Sequence, residues 1–586
     1  MNRPIRFASI LLAGLLAGPA VAAVYTVGPM AGCTHASVQA ALDAAQLTPG
    51  SDRIRIVVGT FTAQALVVDR HDVEIVGGYA SCAASASSGM TRLSGSGAKS
   101  RPVLSLYGPD DSGSVKIRVS RLELTAGRHT RAGGGLLVHG RGSFFLTDSV
   151  VTRNRAGSGG GIAVIGTSGE ENTSLTITDG IVSANEAVDG GGIEVVAARL
   201  RVTGAKSMIV DNRADGSSID TGNGGGLHIS GGPDGRTASA ELDGGHHPDG
   251  LFARNAASRR GGGAWIGART RVQLYTSAPA WPLRLQANTA EFGAGLFAGG
   301  RDTVVSIWEG VIESNHSSLG GGGLFAADGA HLRMLPARDA QAPAGTVACA
   351  KGMTCNRLAG NTSLDGGFIY KNGAAVMLSN ADPGVQSHVL LDSVVVSDHL
   401  GASVFADNCF PQDPLDTCLH PIGLDIVNSR IAPNLDAISA MHFPFATKAS
   451  CFSCTIAGIR GSGFGGESEP VMFDTRGVLT LGQGIVWEPG RPMFGPLVPI
   501  AVVAADLVAH DLSGFAPSGN LRDDDPLFVD AVNGDFHLRA GSPAIDAAVN
   551  VLGLPFDLDG HPRVIDLPWQ PNRDGALDLG AYERPL

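Results

Sequence analysis

Short apolar runs bounded by glycine recur along most of this chain, with almost no helical period between them. One kind directly follows a glycine run, as in GIAVI at residues 161–165 and GIEVV at residues 192–196. A second kind comes before the next polar phrase, as in FFLT at 144–147, LTIT at 175–178 and LRVT at 200–203. Runs of this length, rich in β-branched residues and closed by glycine, predict strands. Each unit therefore predicts strand, turn, strand, turn. The polar positions repeat as regularly as the apolar ones. An Asn opens each turn and a Gly run closes it, as NRAGSGGGIAVIG from Asn154 and NEAVDGGGIEVV from Asn185. The phrase returns at Asn212, Asn255, Asn288, Asn315 and Asn361, in steps of 31, 27, 43, 33, 27 and 46 residues.

A two-strand unit cannot bury its apolar side alone, so successive units must stack into a solenoid. Stacking puts each residue above its counterpart in the next coil. Asn suits the turn of such a stack, because it tolerates the left-handed region and its amide can bond the neighbouring coil. Gly suits a sharp corner or a close backbone approach. The steps of 27 and 31 residues are too short for the four strands of a propeller blade. Disorder is opposed by composition: at 43% hydrophobic and 17% charged, the chain can bury a core. The expected fold is all-β, a right-handed parallel β-helix. Its start should be covered by a short helix at residues 37–45, opened by a Ser37 cap. Strands are predicted at 53–58, 65–68 and 73–76.

The organisation predicted is a signal peptide over 1–23, a cap with the first coils over 24–100, the solenoid over 101–520, and a distinct C-terminal region over 521–586. Arg3 and Arg6, an apolar stretch over 10–17 and the small residues at 20–23 have the order of a secretory signal. The apolar stretch is too short for a membrane anchor and is followed by Pro19. No later stretch reaches eighteen apolar residues, so no transmembrane segment is expected. Export predicts disulfides for the eight cysteines. Closeness in sequence suggests Cys349 with Cys355, Cys409 with Cys418 and Cys451 with Cys454, while Cys33 and Cys82 flank a segment of their own and are expected to pair. A redox or zinc role for the CFSC motif at Cys451 lacks a second CxxC or a nearby His pair. A lipid anchor at Cys33 would need its box nearer the apolar stretch.

Charge narrows the partners. With 43 basic and 55 acidic residues the formal net charge is −12, without the basic stripe of a nucleic-acid binder. An acidic polymer would need a local basic patch to approach.

Residues 59–79, GTFTAQALVVDRHDVEIVGGY, resemble the first coils of pectate-lyase-like β-helix proteins, and the Asn…GGG phrases resemble bacterial polymorphic outer-membrane-type proteins. Together these resemblances span residues 24–485. DPLFVD…GDFHLRAGSPAID…DLDGHPR…DLGAYE, over 523–583, resembles the choice-of-anchor Q domain at the end of many secreted bacterial β-helix proteins. That resemblance implies a sorting tail beyond it; the chain ends at Leu586, which favours release over anchoring. The fold family hosts lyases, hydrolases and adhesins alike.

The family resemblance brings no catalytic motif with it. A lyase needs a basic residue beside the uronate, yet lysine is confined to Lys99, Lys116, Lys206, Lys351, Lys371 and Lys448. Lys116-Ile117-Arg118 is an inverted echo of a polygalacturonase basic tripeptide, but it alternates like a solvent-facing strand. Asn361-Thr362 is followed by Ser363 where that family has Asp. His139, after a strand, reads as ordinary decoration. No cofactor is required on this reading. Ca²⁺ is a candidate, because Asp557, Asp559, Asp574 and Asp578, with Asp523, Asp524, Asp525 and Asn572, are oxygen ligands. Turn formation explains the same residues without metal. The loops at Cys349–Cys355 and Cys409–Cys418 read as tolerated surface insertions braced by disulfides. The function expected is an exported, monomeric, non-catalytic β-helix, adhesin-like, binding a polysaccharide or cell-surface partner. The alternative is a polysaccharide lyase or glycoside hydrolase acting in a groove.

Overall fold

The computed structural model describes residues 22–585 except 49, 168, 245–246, 279–280, 349–354, 364–372, 383, 400–403, 408–421, 433–438, 444–446, 459–470, 496–498, 500 and 518. The described chain is a parallel β-helix. One coil illustrates the plan. Gly142–Thr147 forms the first face, Val150–Thr152 the second and Ile162–Ile165 the third. The next coil repeats it with Thr173–Thr178, Ile181–Ser183 and Ile193–Val196, each paired parallel and in register with its predecessor. Among the described residues the third face is a sheet of 13 strands. The first and second faces join where Val478–Trp487 and Ala501–Ala509 run unbroken through the corner between them.

Each coil thus has three principal strands where the sequence pattern predicts two. The second-face strand is only three residues long and is cut from the first by a single corner. That corner is a left-handed residue, Asp148 or Asp179 in these two coils (φ 45° and 53°). From coil 186–187 to coil 362–363, strands of two to five residues add a short fourth row beside the glycine corner.

Side-chain alternation fills the interior. Phe144, Leu146, Val151, Ile162 and Val164 point inward and are at most 1% exposed, as are Leu175, Ile177, Val182, Ile193 and Val195 one coil on. From Leu136 to Val376, each third-face strand begins beneath a glycine corner. Gly159 holds φ 56°, and a Cβ on Gly161 would sit 2.7 Å from the Gly192 carbonyl oxygen and 2.8 Å from Asn185 Nδ2. Only a residue without a side chain lets adjacent coils approach this closely.

The Asn residues form one continuous ladder. Asn154 donates from its backbone N–H and from Nδ2 to Asn185 Oδ1, both at 3.0 Å, and the pattern repeats through Asn212, Asn255, Asn288, Asn315 and Asn361. Each Nδ2 also donates to a second-face carbonyl of the coil before, such as Val151 for Asn185. None of the ladder Asn residues is left-handed; that conformation belongs to the residue before each one, Arg153, Ala184, Asp211, Arg254, Ala287, Ser314 and Gly360. The amide is used for its two donors and its acceptor, not for its backbone tolerance.

The last rung of the ladder among the described residues is His399. Its Nδ1 accepts the Asn361 backbone N–H at 3.1 Å and its Nε2 faces the Leu358 carbonyl at 3.0 Å, the two roles an Asn amide would fill. A carbonyl only accepts, so Nε2 carries the proton and Nδ1 must stay bare. Burial pushes this imidazole down to about 4. The unfolded chain takes up the proton near pH 6.5 and the folded chain only near 4. The stability tied to His399 is therefore complete above pH 6.5 and is lost as pH falls to 4, on the order of 3 kcal/mol in all. Urea titrations of wild type and His399→Asn across that window should show the variant losing less stability on acidification; equal losses would refute this role.

The predicted cap is present. Helix Val38–Gln46 buries Val38, Ala41, Leu42 and Ala45 against the first coils, and Ser37 Oγ accepts the Ala40 N–H at 3.3 Å. Cys33 and Cys82 form a disulfide, as do Cys451 and Cys454. Cys355 is disulfide-bonded, while Cys349, Cys409 and Cys418 lie outside the described residues, as does the predicted signal through residue 21. No helix among the described residues is long and apolar enough to cross a membrane.

The C-terminal region packs on the side of the last coils. Phe528, Phe536, Leu538, Ile545, Leu577 and Tyr582 form a core with Ala432, Ala457, Ile485 and Val508, which are outward positions of the second face. Backbone bonds fix it there: Gly580 N–H donates to the Gln483 carbonyl at 2.9 Å and Ala581 N–H to Thr455 Oγ1 at 3.0 Å.

Candidate functional site

The four carboxylates singled out for Ca²⁺ occupy three different places. Asp557 is buried, and its oxygens accept the backbone N–H groups of His561 at 2.7 Å and Glu583 at 2.9 Å. Asp578 accepts the Asp546 and Arg584 N–H groups, both at 2.8 Å. Asp574 pairs with Arg522. Asp559 is engaged by His537 Nε2 at 2.5 Å, and Asp535 holds the other ring nitrogen at 2.5 Å. The Asp559 hydrogen bond above all, with Asp535 beside it, lifts His537 to about 9 against its partial burial. Asp557 and Asp559 do come together, but with His561, one ligand atom from each lying within 4.8 Å of the others. This arrangement is a turn braced by Asp side chains, with two of the expected ligands committed elsewhere.

The third face carries an outward row that the sequence reading passed over. Ala163, Glu194, His228, Trp265, Phe297, Phe325 and Met377 stack in register. Trp265 lies flat on His228, with ring centroids 4.3 Å apart, and Phe297 stacks on Phe325 at 5.0 Å. Burial raises Glu194 to about 7, with the neighbouring Asp189 adding to it and a Ser158 hydrogen bond opposing. Burial likewise raises Asp189 and drives His228 down to about 4. Glu194 Oε1 and His228 Nδ1 are 4.0 Å apart. With the acid pushed up and the imidazole pushed down, the two do not make an ion pair at neutral pH. A carboxyl with a proton to give near neutrality has the chemistry of a general acid. Here, however, the glycine corner folds over the row: a Cβ on Gly224 would meet His228 Cβ at 2.7 Å, and one on Gly293 would meet Phe297 Cβ at 2.8 Å. A polymer has no approach to Glu194 without moving that corner.

The first face is open. Two outward rows run along it in register: Lys116, Ser143, Ser174, Arg199, Ser239, Arg271, and beside them Arg118, Phe145, Thr176, Arg201, Glu241, Gln273. Lys116, Arg199, Arg201 and Arg271 are exposed and Arg118 is half-buried. Lys116 Nζ and Arg118 Cζ stand 5.9 and 5.5 Å from the Phe145 ring centroid. Glu241 is the one carboxylate in these stretches and faces Arg201 at 3.6 Å; one coil before them Glu74 stands in register beside Arg118 and pairs with Arg53 at 2.6 Å. Farther along, the first row continues through Val304 to His331, where a hollow of ≈ 490 Å³ opens between Arg301, Thr303, His331 and Gln386. Burial lowers His331, and His388 and Arg333 add to the effect. The third outward row is covered instead: Tyr275, Trp308 and Leu335 lie under residues 336–347, the described arm of the first cysteine loop. Trp308 Nε1 reaches Asp339 Oδ1 at 3.4 Å, and the Val347 N–H donates to the Thr276 carbonyl.

Lys116 and Arg118 thus lie on a solvent face, as their alternation predicts. Their partners in the rows come from other coils, with no sequence motif to link them. By fold the molecule is a parallel β-helix with one open, basic face. No protein-family model matches the chain, and no curated protein matches it.

Proposed function

We propose that this chain is an exported β-helix that binds an extended carbohydrate or cell-envelope polymer along its first face and does not cleave it. The observation that supports this most is the pair of uncovered outward rows between Lys116 and Gln273, in which hydroxyl and basic side chains, with Phe145 among them, are set out at the coil spacing of about 4.8 Å. A polymer lying parallel to the axis meets a hydroxyl or basic contact at every coil, so many weak contacts add up. One observation favours the rival lyase or hydrolase reading, the raised pair Glu194 and Asp189 on the third face. Its cover by the glycine corner weighs against turnover.

Purified mature protein should retard or bind one or more members of an acidic and neutral polysaccharide panel. It should release neither unsaturated product nor reducing ends, with or without Ca²⁺. Turnover of any polymer would replace this proposal with the enzymatic one and make Glu194→Gln the next variant to assay.

A further inference from the structure

The net charge of −12 predicts a surface that repels anions, yet the open rows of the first face carry five basic side chains and one acid. Among the described residues, Lys116, Arg118, Arg199 and Arg271 have no ion-pair partner. Such cations at neighbouring outward positions repel one another, and an anion seated between them relieves that repulsion. They are also grouped. Lys116 and Arg118 make one station, and Arg199 and Arg201, three coils on, make a second about 14 Å away. Arg271 follows two coils later, about 10 Å further. The coils between the first two stations present Ser143, Ser174 and Thr176, neutral donors and acceptors suited to sugar hydroxyls.

Resting on the polymer-binding reading above, we infer that the ligand of this face is a linear glycan bearing phosphate groups, seated with its phosphates at the Lys116/Arg118 and Arg199/Arg201 stations. Two features select phosphate. Each station sets two cations side by side, Arg201 of the second being shared with Glu241, which suits a phosphate monoester carrying about 1.5 to 2 negative charges, whereas a single uronate carboxylate is matched by one. Guanidinium predominates over ammonium, and its planar fork takes two oxygens of a phosphate at once, as it would of a carboxylate, so the charge count and the spacing make the choice. The neutral hydroxyl floor between stations then spaces the charges. A polyanion charged at every sugar would set anions over that floor with nothing to pair them.

The test uses the full mature protein and a phosphomonoester mannan, with the same mannan stripped by phosphatase and with polygalacturonate as comparators, each titrated at 50 and 200 mM NaCl. Binding to the phosphomannan is expected, weakened at least tenfold by phosphatase treatment and substantially by the higher salt. Lys116→Gln/Arg118→Gln and Arg199→Gln/Arg201→Gln should each cost at least tenfold. The charge-matched control Arg539→Gln/Arg573→Gln, on exposed positions of the C-terminal region, should cost less than twofold. Unchanged thermal unfolding would show that the surface variants are folded. Equal affinity for stripped and intact mannan, or an equal or higher affinity for polygalacturonate, would overturn the phosphate assignment and leave the polymer-binding reading standing. Equal losses in the control variant would overturn the assignment to this face. Silence toward all three polymers and the neutral panel would overturn both.

Discussion

Asn255→Leu is expected to lower the free energy of unfolding by roughly 3–6 kcal/mol, although the new side chain is apolar and of similar size. Asn255 Oδ1 accepts two bonds from Asn212, from the backbone N–H and from Nδ2, both at 3.0 Å. Its Nδ2 donates to the Ile209 carbonyl at 2.8 Å and to Asn288 Oδ1 at 3.1 Å. Every one of these groups is buried. Leucine strands the Asn212 N–H without an acceptor and leaves the other three groups short of a partner. Each buried group left wanting costs about 1–3 kcal/mol. Asn255→Asp sharpens the reading. It keeps the acceptor for Asn212, but turns a second oxygen toward the Ile209 carbonyl and Asn288 Oδ1, which only accept. It should therefore be nearly as damaging above the carboxyl's titration range and milder once the carboxyl is protonated. Urea midpoints with local hydrogen exchange would report both effects. Protection should fall first in the coils flanking residue 255, because a solenoid couples each coil mainly to its neighbours. A midpoint unmoved by leucine would mean the ladder bonds are no better than those the unfolded chain makes to water.

The sequence displays the period of the coil and the third-face strands because both are written in residue types with strict demands. The glycine corner admits no side chain, and the strand after it is apolar on every inward position. The second corner leaves no such trace. It needs only one left-handed residue, and Arg153, Ala184, Asp211 and Arg254 serve equally, so the three-residue strand before it merges with its neighbour in any hydropathy pattern. The His399 rung of the ladder is hidden for a related reason. His399 fills an Asn position by donating from one ring nitrogen and accepting at the other, a likeness of hydrogen-bonding geometry that residue identity conceals.

The candidate site was less legible still. Lys116 and Arg118 are visible as alternating residues of one strand, but Arg199 and Arg201 join them only after two intervening coils fix the register. Insertions change the sequence spacing from coil to coil, so no fixed interval marks the rows. Glu194 and His228 share an outward row for the same reason, and nothing in GIEVV or GLHIS distinguishes an acid or imidazole under a corner from one in water. For the Asp residues of the C-terminal region, sequence offers ligand type alone. Geometry then assigns Asp557 and Asp578 to backbone N–H groups, which a clustered set of carboxylates cannot reveal in one dimension.

Ile193→Asp should be the most damaging single change considered, on the order of 5 kcal/mol or more. Ile193 is fully buried on the third face, stacked in register between Ile162 and Leu227. Removing the side chain loses about 2–5 kcal/mol of packing. The carboxylate that replaces it lies in an apolar interior, with no donor among the inward side chains on either side of it, and must remain uncharged or force the coil open. The same substitution three residues later provides the control. Val196 is on the outward side of that strand and half-buried, so Val196→Asp should cost no more than about 1 kcal/mol. The two variants share charge, strand and composition and differ only in the side of the sheet. A large difference in urea midpoint between them would follow from the inward–outward parity of the third face. Similar midpoints would contradict that parity, and with it the register that stacks Ile162, Ile193 and Leu227.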